Sequence, residues 1–131
     1  MWTEPGTSLN SQRAEGIDLA TFDATLHIQA FESMERGLKT VYTVIANDEY
    51  SMISSGDRLE FGSYGSITVG TVRRYPDLES LATAEGWRNV VPEADTEDRA
   101  ISLIRATDSW EESEERQRGV MALRVRETRR K

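Results

Sequence analysis

Four short residue groups in this 131-residue chain carry side chains suited to chemistry. The first is Gly37-Leu38-Lys39, read as a helix end feeding a strand, which sets an amine at a strand entrance. Apart from Lys131 it is the only lysine, against 14 arginines. A lysine amine loses its proton when desolvated, whereas a guanidinium stays charged. Lys39 is thus either a residue whose role needs an amine or a chance surface lysine. The second group adds the hydroxyls of Thr40, Tyr42 and Thr43 on the same strand. By alternation Lys39 and Thr43 share one face, and Thr40 and Tyr42 the other; β-propensity alone also accounts for these residue types.

The third group, Glu85-Gly86-Trp87-Arg88, follows a helix with a carboxylate, an indole and a guanidinium. Such a set lines base-binding pockets, although Trp87 serves equally as a core anchor. The fourth, Arg73-Arg74-Tyr75, sits at a strand end and suits either a phosphate path or a solvated edge.

The elements that must hold these groups follow from pattern. Residues 1–20 read as a polar, turn-rich, loosely ordered lead-in, and residues 21–131 as one domain. Thr25 to Gln29 alternates as a strand does. Phe31 to Arg36 makes one or two helical turns ended by Gly37. Lys39 to Ala46 is the strongest strand, Asp57 to Phe61 a short one, and Ser66 to Tyr75 a longer one with a bulge at Gly70. Asp77 caps a helix stopped by Glu85-Gly86, and Thr96 caps another. Glu111 to Glu115 reads as an exposed loop or helix end. Gly119 to Arg126 closes the chain's sheet. Strands at both ends with short helices between predict an α+β, mainly β domain: a small closed or nearly closed β-barrel flanked by short helices.

Composition removes several functions. With no cysteine there is no disulfide framework or thiol nucleophile. His27 is the only histidine, so no ligand set for a metal is expected. No phosphate loop or nucleophile elbow points to a cofactor. No apolar run reaches the roughly 18 residues of a membrane span, and the N-terminus lacks a secretory pattern, so a cytoplasmic protein is expected. The net charge is −7, unevenly spread. Residues 116–131 carry +6, leaving −13 on residues 1–115. A basic end on an acidic body can hold phosphate locally; Arg124 and Arg126 are its strand residues.

From about Thr25 to Val125 the chain resembles the ASCH domain, a branch of the PUA-like RNA-binding fold. The resemblance rests on Phe31 to Val41, Ser55 to Phe61, Arg74 to Leu81, Ala84-Glu85-Gly86 and Gly119 to Arg124, in that order. The family motif Gly-x-Lys-x-x-Glu-x-Arg is met at Gly37 and Lys39, with Tyr42 in the glutamate position and Val44 in the arginine position. The resemblance implies a PUA-like barrel whose cleft, around Lys39 and Glu85, binds RNA or a modified nucleoside. Arg73, Arg74, Trp87, Arg88, Arg124 and Arg126 would contact the nucleotide. Relatives that hydrolyse N4-acetylcytidine use a lysine, a threonine three residues on and a glutamate. This carries to Lys39, Tyr42 and Glu85, with Thr40 or Thr43 as alternative hydroxyls. A metal-independent amidohydrolase or ribonuclease is therefore the alternative function. A third is a protein-interaction module acting through the acidic 108–115 stretch.

Overall fold

The computed structural model describes residues 19–131, so most of the expected lead-in lies outside the described residues. Five strands form one mixed sheet: β1 (Thr21–Asp23), β2 (Val41–Ile45), β3 (Arg58–Phe61), β4 (Gly65–Tyr75) and β5 (Val120–Arg130). Their order is β1-β3-β4-β5-β2, with β1 and β3 parallel and the other pairs antiparallel. Among the described residues five α-helices accompany them: α1 (Ile28–Glu35), α2 (Leu78–Glu85), α3 (Trp87–Val90), α4 (Glu97–Arg105) and α5 (Glu112–Arg118), with one 3-10 turn at Tyr50–Met52.

Side-chain alternation splits the apolar residues of the sheet between two cores. Leu59, Phe61, Val69, Met121 and Leu123 pack with Phe31 and Met34 of α1 in one cluster. Val41, Val120 and Ala122 point the other way, onto Leu78, Leu81, Val90 and Ile101 of α2, α3 and α4. One strand, β5, walls both clusters, with Val120 and Ala122 on one side and Met121 and Leu123 on the other.

The sheet curls about its α1 face but does not close. The gap between its two edges is bridged by side chains instead of a ladder, from β2 to the segment after β1 and from the turn after β2 to β1. The Tyr42 hydroxyl donates to the Thr25 carbonyl at 3.0 Å, and the Tyr50 hydroxyl to the Asp23 carbonyl at 2.7 Å. The result is a five-stranded half-barrel with helices, an open version of the expected barrel.

Several local signals act as the sequence predicts. Asp77 accepts from the Ser80 N–H at 2.8 Å and Thr96 from the Arg99 N–H at 3.0 Å, each satisfying a free donor of a helix start. Gly37 takes a left-handed φ of 77° after α1. The β4–β5 register shifts between Val69 and Val72, which brackets the bulge expected at Gly70.

Three expectations are corrected. Thr25 to Gln29 is not a strand: Ala24–His27 is irregular and Ile28 already opens α1. Exposed and part-buried residues do alternate there, but only Thr21–Asp23 find a partner strand, and burial of Phe31 and Met34 makes the rest helical. The last strand does not stop at Arg126 but runs to Arg130, where it pairs with Gly65. The acidic stretch is not simply exposed, since Glu115 on α5 is only 2% accessible.

The Gly65 end of that pairing is tight. A Cβ there would lie 2.3 Å from the Arg129 carbonyl oxygen and 2.8 Å from Phe31 Cζ. Gly65→Ala must push β4 and β5 apart, at a cost of about 2 kcal/mol. The expected readout is a lower urea midpoint with an unchanged denaturation slope.

Candidate functional site

Lys39 leaves α1 through the Gly37 turn and enters just before β2. Its ammonium donates to the Val90 carbonyl at the end of α3. The residue keeps some exposed surface, yet desolvation lowers its pKa to about 8, against an opposing pull from the Glu93 carboxylate. It is therefore an amine close to its titration point near neutral pH. The neighbouring Thr40 N–H donates to the Asn89 carbonyl, and the Thr40 carbonyl accepts from Val125, locking the strand entrance between α3 and β5.

The same side of the sheet gathers other cationic groups. Arg124 pairs with Val41, and Arg73 pairs with Ala122; both partners face the α2–α4 layer. Partners in register share a face, so Arg73 and Arg124 lie on the Lys39 side. A Cβ on Gly70 would sit 3.7 Å from that of Arg124 and 3.6 Å from that of Arg126. Having none, Gly70 leaves an open floor between the two arginines. Arg126 also donates to Ser55 Oγ at 2.9 Å.

At the helical end of this strip the Tyr75 hydroxyl donates to Glu85 Oε2. Burial, then the Glu85 carboxylate, raises the Tyr75 pKa, partly offset by Arg73. Trp87 packs against the α2–α4 core, and the Arg88 guanidinium lies 4.5 Å above its ring. Trp87 thus anchors the core and also carries a stacked cation.

The remaining sequence candidates lie elsewhere. Tyr42 points to the opposite face, packing edge-on to Phe61 with centroids 5.3 Å apart. Burial, reinforced by Tyr50, raises its pKa. Arg74 pairs with Met121 and donates to the Ser51 carbonyl at 2.7 Å, which separates it from Arg73. Thr40 falls on the Tyr42 side by alternation, whereas Thr43, opposite Ala122, shares the Lys39 face farther along β2, with a buried Oγ1 that has no hydrogen-bond partner. The structure therefore brings Lys39, Arg73, Arg124 and Arg126 onto one face, rimmed by Tyr75–Glu85 and Trp87–Arg88. It does not bring Tyr42 to Lys39.

A second feature escaped sequence reasoning. A cleft of 630 Å³ opens at the seam between β2 and the end of β1, lined by Asp23, Thr25, Tyr42, Thr43, Tyr50 and Trp110 among others. It joins segments far apart in the chain, which no local pattern announces.

No protein-family model matches the chain, and no curated protein matches it. Solved structures do match, among them two small proteins. The crystal structure of hypothetical protein PH0355 is 20% identical, with a TM-score of 0.74, over 85% of this chain and 99% of that one. The solution structure of protein PF0455 from Pyrococcus furiosus is 21% identical, with a TM-score of 0.66, over 82% of this chain and 96% of that one. This likeness establishes the fold. The match extends over nearly the whole length of both structures. Among the described residues, no helix is long and apolar enough to cross a membrane.

Proposed function

We propose that this is an ASCH-type, PUA-like domain that binds single-stranded RNA or a modified nucleoside on the face around Lys39. The observation that carries the reading is the shared face of Lys39, Arg73, Arg124 and Arg126. On a chain of net charge −7, a local cationic strip beside an aromatic ring is the arrangement that holds a phosphate backbone and stacks a base. The Tyr75–Glu85 pair supplies an acceptor at its rim for a base edge. Cytoplasmic placement belongs to the same proposal, since RNA is met there.

Fluorescence anisotropy with a labelled single-stranded RNA tests this. Binding should weaken steeply with salt, and neutralising Arg73, Arg124 and Arg126 to glutamine should reduce the log–log salt slope by about 2. An unchanged slope would remove the strip from the interface.

A second reading, a metal-independent hydrolase, has one observation in its favour. With its pKa near 8, the Lys39 amine can accept a proton from a nucleophile without a metal. Its test is N4-acetylcytidine deacetylation followed by chromatography, beside RNA cleavage on a gel. Turnover abolished in both Lys39→Ala and Glu85→Ala would replace binding by catalysis. With Tyr42 on the other face, neither reaction is expected.

A further inference from the structure

The open seam differs from the Lys39 face in charge, geometry and position. Two backbone bonds fix which way β2 turns its amides. The Val125 N–H donates to the Thr40 carbonyl, and the Ala46 N–H to the Gly119 carbonyl. The register between them is unbroken, so even-numbered residues bond to β5 and Val41, Thr43 and Ile45 turn outward. Among the described residues β2 has no second strand partner. The Ile45 carbonyl is taken by the Asn47 N–H and Val41 is 1% accessible, which leaves the amide groups of Thr43 as the open edge.

Thr43 lines the cleft. Its Oγ1 is buried without a partner, an orphan of the kind that an incoming donor satisfies. Three rings stand around this edge, and each is held in place: Tyr42 and Tyr50 through their hydroxyls, and Trp110 through its indole N–H, which donates to Glu115 at 3.0 Å. The charged lining is wholly acidic, made of Asp23, Glu49, Glu111 and Glu114. None of these four carboxylates is in an ion pair among the described residues.

We propose that the seam is a docking groove for an extended polypeptide segment bearing arginine or lysine, which adds as a strand along the outer edge of β2. Strand addition gives an exposed edge its missing partner, with alternate side chains entering pockets. Charge complementarity selects the basic side chains, and the rings receive their cationic heads. The surface is opposite in sign to the proposed RNA face.

The test uses the isotopically labelled full chain and the blocked peptide Thr-Arg-Val-Arg-Val-Thr, followed by NMR. The expected result is a saturable shift of the Thr43 amide and the Trp110 indole. The Glu111→Gln/Glu114→Gln double variant, which alters only side chains with exposed surface, should weaken binding at least tenfold. A peptide with glutamate for arginine should not bind. N-methylating alternate peptide amides should weaken binding at least tenfold in one phase and little in the other. Equal behaviour of the two phases, or spermidine binding at least as tightly as the peptide, would overturn strand addition in favour of a free-cation site. No saturable shift, or shifts centred on Lys39 and Arg124, would overturn the proposal outright.

Discussion

Replacing Glu115 with alanine is expected to destabilise the protein by about 3 kcal/mol, lowering its thermal midpoint by roughly 10 °C. Four donors converge on this buried carboxylate. Arg105 Nε and Nη2 reach it at 3.1 and 2.6 Å, the Trp110 indole at 3.0 Å and the Leu78 N–H at 3.1 Å. It thus fastens α5 to the start of α2 and to the end of α4. Without it, the Leu78 amide and the indole lose their acceptor, and Arg105 keeps only Glu79 on the surface. Burial alone would raise the Glu115 pKa, but Arg105, Trp110 and the Leu78 amide outweigh it and the net shift is downward. A carboxyl depressed in the folded state stabilises above the ordinary value of 4.5, and that contribution fades as pH falls through the folded value. Urea titrations between pH 3 and 7 should therefore show a flatter acid limb in Glu115→Gln. An alanine variant as stable as the parent would sink the assignment.

Lys39→Met should do the reverse and stabilise the protein at pH 7. With a folded pKa of about 8 against an ordinary 10.5, the folded protein binds fewer protons than the unfolded chain between those values. Stability therefore rises with pH across that window, by on the order of 3 kcal/mol. Above about 10, Tyr42 acts in the opposite sense. Its raised pKa means that the unfolded chain releases a proton the folded one keeps, and stability falls. The parent should thus show an alkaline maximum that Lys39→Met flattens. Removing the donor to the Val90 carbonyl gives back about 1 kcal/mol, so the net gain at neutral pH is roughly 1–2 kcal/mol. Chemical denaturation of both proteins from pH 7 to 11 measures this directly.

How much of this was legible depends on how local each cause is. Asp77 and Thr96 cap helices through amides three residues away, and a capping residue three before its donor can be read in any sequence. The β-branched run at Val41 to Ile45 is equally plain. The alternation at Thr25 to Gln29 misled because it reports burial, and burial in turn does not require a partner strand. Glu115 was hidden by distance: its acceptor role depends on Leu78, 37 residues earlier, while in sequence it is one of four glutamates within five residues. For the site, alternation correctly separated Lys39 from Tyr42, and the register added what alternation lacks by putting Arg73 and Arg124 on the Lys39 face. The seam could not be read at all, because it exists only where the two ends of the strand order meet.

The central place of β5 has a consequence for how the protein is made. β2 and β4 both wait for a strand synthesised last among the five. At about 5–20 residues per second, the gap from Ile45 to Val120 holds β2 without a partner for several seconds on the ribosome. Throughout that interval each apolar cluster lacks the wall that Val120 to Leu123 provides, and two strands present open edges. β1, β3 and β4 can pair as they emerge, but β2 joins the sheet only in a late step, through β5. Newly made chains are therefore most exposed to chaperones, and to each other, just before β5 emerges.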